Sequence, residues 1–286
     1  MPTDDRPTPH RRRLGEGAVG IFDSGIGGLT VLKAIRQALP AERLLYFGDN
    51  AHVPYGPRSL EEVRGFSHGI TRALLDQGCK LIVIACNTAS AAALTSVREA
   101  YPQVPFVGME PAVKPAVEHT RTGVVGVIAT VATFQSELYA SVVERFGVGV
   151  EVLHQPCPGL VKQIEAGEFD TPLTESILRG WLEPMVARHI DALVLGCTHY
   201  PIVRPLIERI VGPGVRVIDP APAIARQVER LLEQNGQMTD AQDQADSTTL
   251  WTSGDPSSFA AMMERLGMDR MEVRAAHWNN GTLILP

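Results

Sequence analysis

The chain has 286 residues, 44% of them hydrophobic and 20% charged, with a formal net charge of −6. This balance excludes a disordered or fibrous chain, and it lacks the basic excess of a nucleic-acid-binding domain. The length allows about two domains at ~150 residues each; the expected ligand is a small molecule, with no nucleic-acid and no membrane partner.

The first 16 residues, rich in Pro, Arg and Asp, read as a polar, poorly ordered tail with no apolar run of signal-peptide length behind its basic residues. No uninterrupted apolar stretch approaches the ~18 residues of a membrane span, so a cytoplasmic location is expected. After the tail, AVGIFDSGIGGLTVLKAIRQAL (18–39) reads as a buried strand, a Gly-rich turn and an amphipathic helix, and RLLYFGD (43–49) as a second strand. KLIVIAC (80–86) runs into the Ala-rich NTASAAALTSVREAY (87–101) in the same way. Strands alternating with helices predict α/β architecture with mainly parallel sheets flanked by helices, whose ligands sit outside the carboxyl ends of the strands.

The second half repeats the first. VGIFDSGIG at 19 resembles VGVIATVAT at 125, RLLYFGDN at 43 has a counterpart in VEVLHQPC at 150, and Cys86 one in Cys197. Common order and nearly constant separation point to duplication of one unit. The polar stretch 233–249 reads as an exposed loop or helix end, after which LWTSGDPSSFAAMMERLG (250–267) resumes a strand, turn and helix. The expected organisation is a tail (1–16), a first domain (17–110 plus 219–286) carrying Cys86, and a second (111–218) carrying Cys197, with the active site in the cleft between them.

Four cysteines are present, and a reducing cytosol disfavours disulfides among them. Cys79 and Cys157 read as buried structural thiols, free Cys being among the most buried residue types. Cys86 and Cys197 differ: each ends an apolar strand and is followed at once by capping residues, Asn87-Thr88 and Thr198-His199. A thiol at a helix start is expected to have a lowered pKa, beside N–H groups that attract a carboxylate.

Spacing argues against a metal centre, since no CxxC is present and His199 beside Cys197 makes a poor tetrahedral set. A single Cys-His nucleophile would leave the twin cysteine unexplained, and a redox pair needs the two sulfurs within bonding distance. The turn DSGIGG is not the phosphate motif GxxxxGK[ST]. None of Lys33, Lys80, Lys114 and Lys162 lies in a strand-end, Gly-rich context suited to a pyridoxal Schiff base, so no cofactor and no metal are expected. Two thiols facing each other across a cleft suit removal of a proton from one face of a carbon and return of another to the opposite face. Asp23, in a strand-end Asp-Ser-Gly turn, is placed to bind an ammonium group or accept a thiol proton, and Gly25, Gly27 and Gly28 permit close approach to a carboxylate.

GIFDSGIGGLTVL, YFGDNAHVPYG, IACNTASA, GVIATVATFQS, LGCTHYP and TSGDPSSF, in this order across nearly the whole chain after the tail, resemble the glutamate racemases of the aspartate/glutamate racemase superfamily. The resemblance implies cofactor-independent interconversion of L- and D-glutamate, supplying D-glutamate for bacterial peptidoglycan. It implies that Cys86 acts on the D-enantiomer and Cys197 on the L-enantiomer, assisted by Asp23 and His199, with Glu165 a further catalytic acid. It assigns substrate binding to Asp23, Ser24, Tyr55, Gly56, Asn87, Thr88, Thr130, Thr133, Thr198 and His199. Lys162 and Gln163 depart from the family pattern, where Pro and an apolar residue are expected. The alternatives are another two-cysteine racemase, such as one for aspartate, and a non-catalytic amino-acid-binding protein; a homodimer is the assembly that C2 symmetry favours.

Overall fold

In a computed structural model, residues 17–239 and 247–286 are described. The expected tail and the centre of the expected 233–249 loop lie outside them.

The first half runs β1 (Ala18–Asp23), α1 (Leu29–Ala38), β2 (Leu44–Gly48), α2 (Leu60–Asp76), β3 (Cys79–Ile84), α3 (Asn87–Ala100) and β4 (Phe106–Gly108). The second runs α4 (Val113–His119), β5 (Val124–Ala129), α5 (Val131–Phe134), α6 (Glu137–Phe146), β6 (Glu151–Pro156), α7 (Leu160–Glu165), α8 (Pro172–Ala187), β7 (Ala192–Gly196), a 3-10 turn (Tyr200–Val203), α9 (Arg204–Val211) and β8 (Arg216–Ile218). The chain then returns through α10 (Ala221–Gln234), β9 (Thr248–Thr252), α11 (Pro256–Arg265) and β10 (Val273–Ala275) to a small antiparallel hairpin, β11 (His277–Asn279) and β12 (Thr282–Ile284).

Strand order is β10-β9-β2-β1-β3-β4 in one sheet and β6-β5-β7-β8 in the other, every pairing in both being parallel. The segment β2-β1-β3-β4 and the whole second sheet therefore share one winding, which is the structural counterpart of the sequence repeat. The C-terminal β9 pairs along β2, so the chain end extends the first sheet. Of the expected 233–249 loop, residues 233 and 234 close α10, and Thr248 and Thr249 already pair with Leu44 and Leu45.

Both sheets are covered on both faces, as all-parallel sheets require. In β1, Val19 and Ile21 face a core shared with α1 and α10, while Ala18 and Phe22 face one built with α2 and α3. In β7, Leu193 and Leu195 join the former core, which continues across the two halves, and Ala192 and Val194 join a third under α4 and α6. Near-continuous apolar runs in these strands follow from this two-sided burial. The short connections 109–112 and 219–220 are the only links by which the described chain passes between the halves.

Candidate active site

The carboxyl ends of the central strands of both sheets converge. β1 delivers Asp23 and Ser24, β3 leads to Cys86, and β7 leads to Cys197, Thr198 and His199; all six side chains are buried. Cys86 caps α3, its sulfur accepting from the Ala89 N–H at 3.4 Å. Cys197 departs from expectation in that no α-helix starts there: the chain bends, makes the 3-10 turn and enters α9 only at Arg204. Pro201 and Pro205 explain the delay, because an α-helix running from residue 198 would lose the N–H of Pro205 and drive its ring against the carbonyl of residue 201.

The expected lowering of the thiol pKa is also not what the structure supports at Cys86. Burial pushes this thiol well above its ordinary value, the nearby Asp23 charge pushes it further, and the Ala89 N–H offsets only part of this. The helix start is outweighed because the sulfur is removed from water beside an anion. Burial likewise raises the Asp23 pKa, although the His199 charge and the Gly25 N–H, 3.0 Å from Oδ2, pull it down.

The Cys197 sulfur lies 3.9 Å from His199 Nδ1, and His199 Nε2 lies 2.6 Å from Glu165 Oε1. Burial disfavours the imidazolium, but the hydrogen bonds to Cys197 and Glu165 and their charges outweigh it, so the His199 pKa stands well above its usual value. Despite Lys162 and Gln163, α7 forms and ends on Glu165 in reach of the histidine. Glu165 Oε1 also accepts from the Ile26 N–H at 2.9 Å, and Oε2 from Asn50 Nδ2 at 3.2 Å. The Gly-rich turn does approach a carboxylate, that of Glu165: a Cβ on Gly25 would collide with Oε1, and one on Gly27 would lie 2.5 Å from His199 Nδ1.

Further contacts close the seam between the halves. Thr198 donates to Asp23 Oδ1 at 3.1 Å, and Thr88 and Thr130 hydroxyls meet at 3.0 Å, with Thr133 bonded to Thr130 at 2.9 Å. Gly56 lies against Thr130, where an added Cβ would be 3.2 Å from the threonine Cβ. The Ser24 hydroxyl is 3.9 Å from the Cys86 sulfur. Asn87 is 2% exposed, and neither its side-chain oxygen nor its nitrogen has a protein partner, leaving one amide free for a ligand. The Tyr55 hydroxyl donates to Asp49 at 2.6 Å and so braces its loop. Sequence reasoning did not reach Asp49 and Asn50, although both lie at the carboxyl end of β2 inside YFGDNAHVPYG. Among the described residues no cluster of His, Cys, Asp or Glu fits a metal ion, and no helix is long and apolar enough to cross a membrane.

Fold and site together define an α/β protein of two like-wound sheets whose strand ends meet in a buried, polar, thiol-bearing seam. The Asp/Glu/Hydantoin racemase family matches residues 19–228. The chain is 50% identical over 258 residues to the glutamate racemase of Ectopseudomonas mendocina, covering 90% of this chain and 97% of that protein. Among solved structures, a Bacillus anthracis glutamate racemase superposes with a TM-score of 0.83 at 34% identity, covering 94% of this chain and 99% of that one. A Francisella tularensis glutamate racemase in complex with D-glutamate does so with a TM-score of 0.80 at 33% identity, covering 91% and 97%. The chain belongs to the aspartate/glutamate racemase family, a family of isomerases.

Proposed function

We propose that the protein interconverts L- and D-glutamate without a cofactor, using Cys86 and Cys197 as paired bases, and thereby supplies D-glutamate for peptidoglycan. The observation that carries this reading is the placement of the two thiols at equivalent strand ends of a repeated unit, both in one buried seam. The seam divides residues 17–110 with 219–286 from 111–218, and the halves part at the connections 109–112 and 219–220 to admit substrate.

In the L-to-D direction the Cys197 thiolate removes the α-proton from one face, and the Cys86 thiol delivers its own to the other. The cycle ends with a Cys197 thiol and a Cys86 thiolate, and proton exchange with water resets them. The raised pKa of Cys86 suits a proton donor in this direction. A protonated His199, held by Glu165, offers the Cys197 sulfur a donor in its anionic state. Asp23 takes the substrate ammonium. The α3 N-terminus, the free Asn87 amide and the Thr88, Thr130, Thr133 and Thr198 hydroxyls bind the carboxylates and stabilise the carbanion-like state in a site shut to water. Tyr55 and Gly56 would contribute main chain, since the Tyr55 hydroxyl is engaged.

Purified protein with L-glutamate in D2O, no cofactor added, is expected to form D-glutamate carrying deuterium at Cα. Cys86→Ala and Cys197→Ala should each lower the rate by at least the ~10²–10⁴-fold typical of losing a general acid or base. Turnover of aspartate in place of glutamate would move the substrate assignment; exchange with neither acid would end the catalytic reading.

A further inference from the structure

We propose that Asn50 is a positioning residue for this reaction, orienting Glu165 and through it the His199–Cys197 pair. The proposal rests on the two-base reading above.

Glu165 carries three donors, of which the Ile26 N–H and the Asn50 amide belong to the first half, while Glu165 and His199 belong to the second. The orientation of the Asn50 amide is fixed from both sides. From behind, the Thr252 hydroxyl, which also accepts from the Gly254 N–H at 3.1 Å, donates to Asn50 Oδ1 at 2.9 Å, and in front the Glu165 carboxylate can only accept. The amide oxygen is thus committed to Thr252, and the NH2 must face Glu165. Two glycines make the room: an added Cβ on Gly254 would lie 2.7 Å from Asn50 Cβ, and one on Gly48 would lie 3.0 Å from Oδ1.

The neighbouring Asp49 pins the same turn. It is fully buried and accepts from the Tyr55 hydroxyl at 2.6 Å, the Ser253 hydroxyl at 2.7 Å, Trp278 Nε1 at 2.8 Å and His52 Nδ1 at 2.9 Å. Asn50 is therefore a rigid donor aimed at one carboxylate oxygen, and it reaches that oxygen only when the halves are together. The His199 pair is completed by closure.

An amide and a carboxylate have the same shape, so Asn50→Asp keeps the packing and puts a charged oxygen 3.2 Å from a Glu165 oxygen in place of a donor. Two carboxylates so close share a proton, and the shared proton restores a donor as pH falls. The charged groups around the pair are Asp49, with its own donors, His199 behind Glu165, and Asp23, on which the Glu165 charge acts. Relative to wild type, Asn50→Asp is expected to lose about 10- to 100-fold in kcat/KM at pH 8.5, the range for losing a hydrogen bond to a charged group. The deficit should shrink as pH is lowered to 6. Asn50→Leu, which offers no donor at any pH, should show a constant deficit.

In a Glu165→Gln background the glutamine amide can donate to the carboxylate that Asn50→Asp introduces, so adding Asn50→Asp should cost nothing further, whereas adding Asn50→Leu should. This comparison carries the test if Asn50→Asp alone does not fold at pH 8.5. Asn50→Asp and Asn50→Leu losing activity equally at every pH, or Asn50→Asp staying within twofold of wild type throughout, would overturn the proposal. Wild-type protein that incorporates no deuterium at Cα would instead overturn the racemase reading on which it rests.

Discussion

At the scale of single residues, His199 links the site to the pH dependence of folding. Its pKa is raised well above the ordinary histidine value of 6.5 although burial opposes the charge, because Cys197 and Glu165 hold the imidazolium. A group whose folded pKa exceeds its unfolded one contributes stability that is full below the unfolded value and is lost as pH rises through the folded value. The urea midpoint should therefore fall as pH increases from 6.5 to 8.5, in the window where an unfolded histidine has already released its proton. Asp23, also raised in the fold, acts with the same sign at the pH values above its unfolded pKa. Glu165→Gln removes a charge that raises both groups, so its midpoint should fall less steeply over the same interval. A slope unchanged by Glu165→Gln would mean that Glu165 does not hold the imidazolium.

At the scale of elements, the C-terminal hairpin is tied to the site through one side chain. Trp278 in β11 donates to the buried Asp49, and its ring packs near His52, with centroids 5.4 Å apart, and near Phe66, at 5.9 Å. A Cβ on Gly69 of α2 would lie 2.9 Å from that ring, so helix and hairpin are in direct contact. Trp278→Phe keeps an aromatic ring and deletes the donor. It is expected to lower stability by about 1.5–3 kcal/mol, as for a hydrogen bond to a charged group, read as a lower urea midpoint at unchanged m-value. An unmoved midpoint would show that Asp49 does not need the indole.

The same elements mark where the sequence was readable. Apolar runs ending in Asp23, Cys86 and Cys197 fixed three strands and the side of the sheets on which chemistry collects, because strands buried on both faces leave polar residues only at their ends. The start of α3 follows from Asn87 and Thr88 read as capping residues, although the cap is Cys86 itself and both residues lie inside the helix. The segment after Cys197 was misread because its capping residues are as good as those after Cys86, and the veto comes from prolines four and eight residues further on. The sign of the Cys86 shift is hidden from the sequence for a similar reason, since a helix start is local and visible, whereas burial and the approach of Asp23 arise from tertiary packing. The role of Asn50 is not legible in the sequence because its partners, Glu165 and Thr252, are far away in sequence and meet it only once both halves and the C-terminal strand are assembled.

At the scale of the whole molecule, the seam is closed: Cys86 is 5% and Cys197 6% exposed, and the proposed reaction requires the halves to part to admit substrate. Several contacts cross the seam, and the Thr88–Thr130 pair is the simplest to remove, since Thr130 keeps its bond to Thr133 when Thr88 loses its hydroxyl. Thr88→Val is nearly isosteric, and the loss of one neutral hydrogen bond of about 0.5–1.5 kcal/mol should raise the population of the open form by about 2- to 10-fold. Alkylation of native protein by a small thiol reagent, mapped by peptide mass, reads that population wherever closing is faster than labelling. Cys86 and Cys197 should label faster in Thr88→Val by that factor, and saturating glutamate should slow both. Cys79, in β3, is buried in a core of first-half residues and should keep its wild-type rate, whereas Cys157 lines a cavity with Gly56 and Thr130 between the halves and is no such control. Equal acceleration of Cys79 would mean that the substitution loosens the fold as a whole, and that the seam is not where the molecule opens.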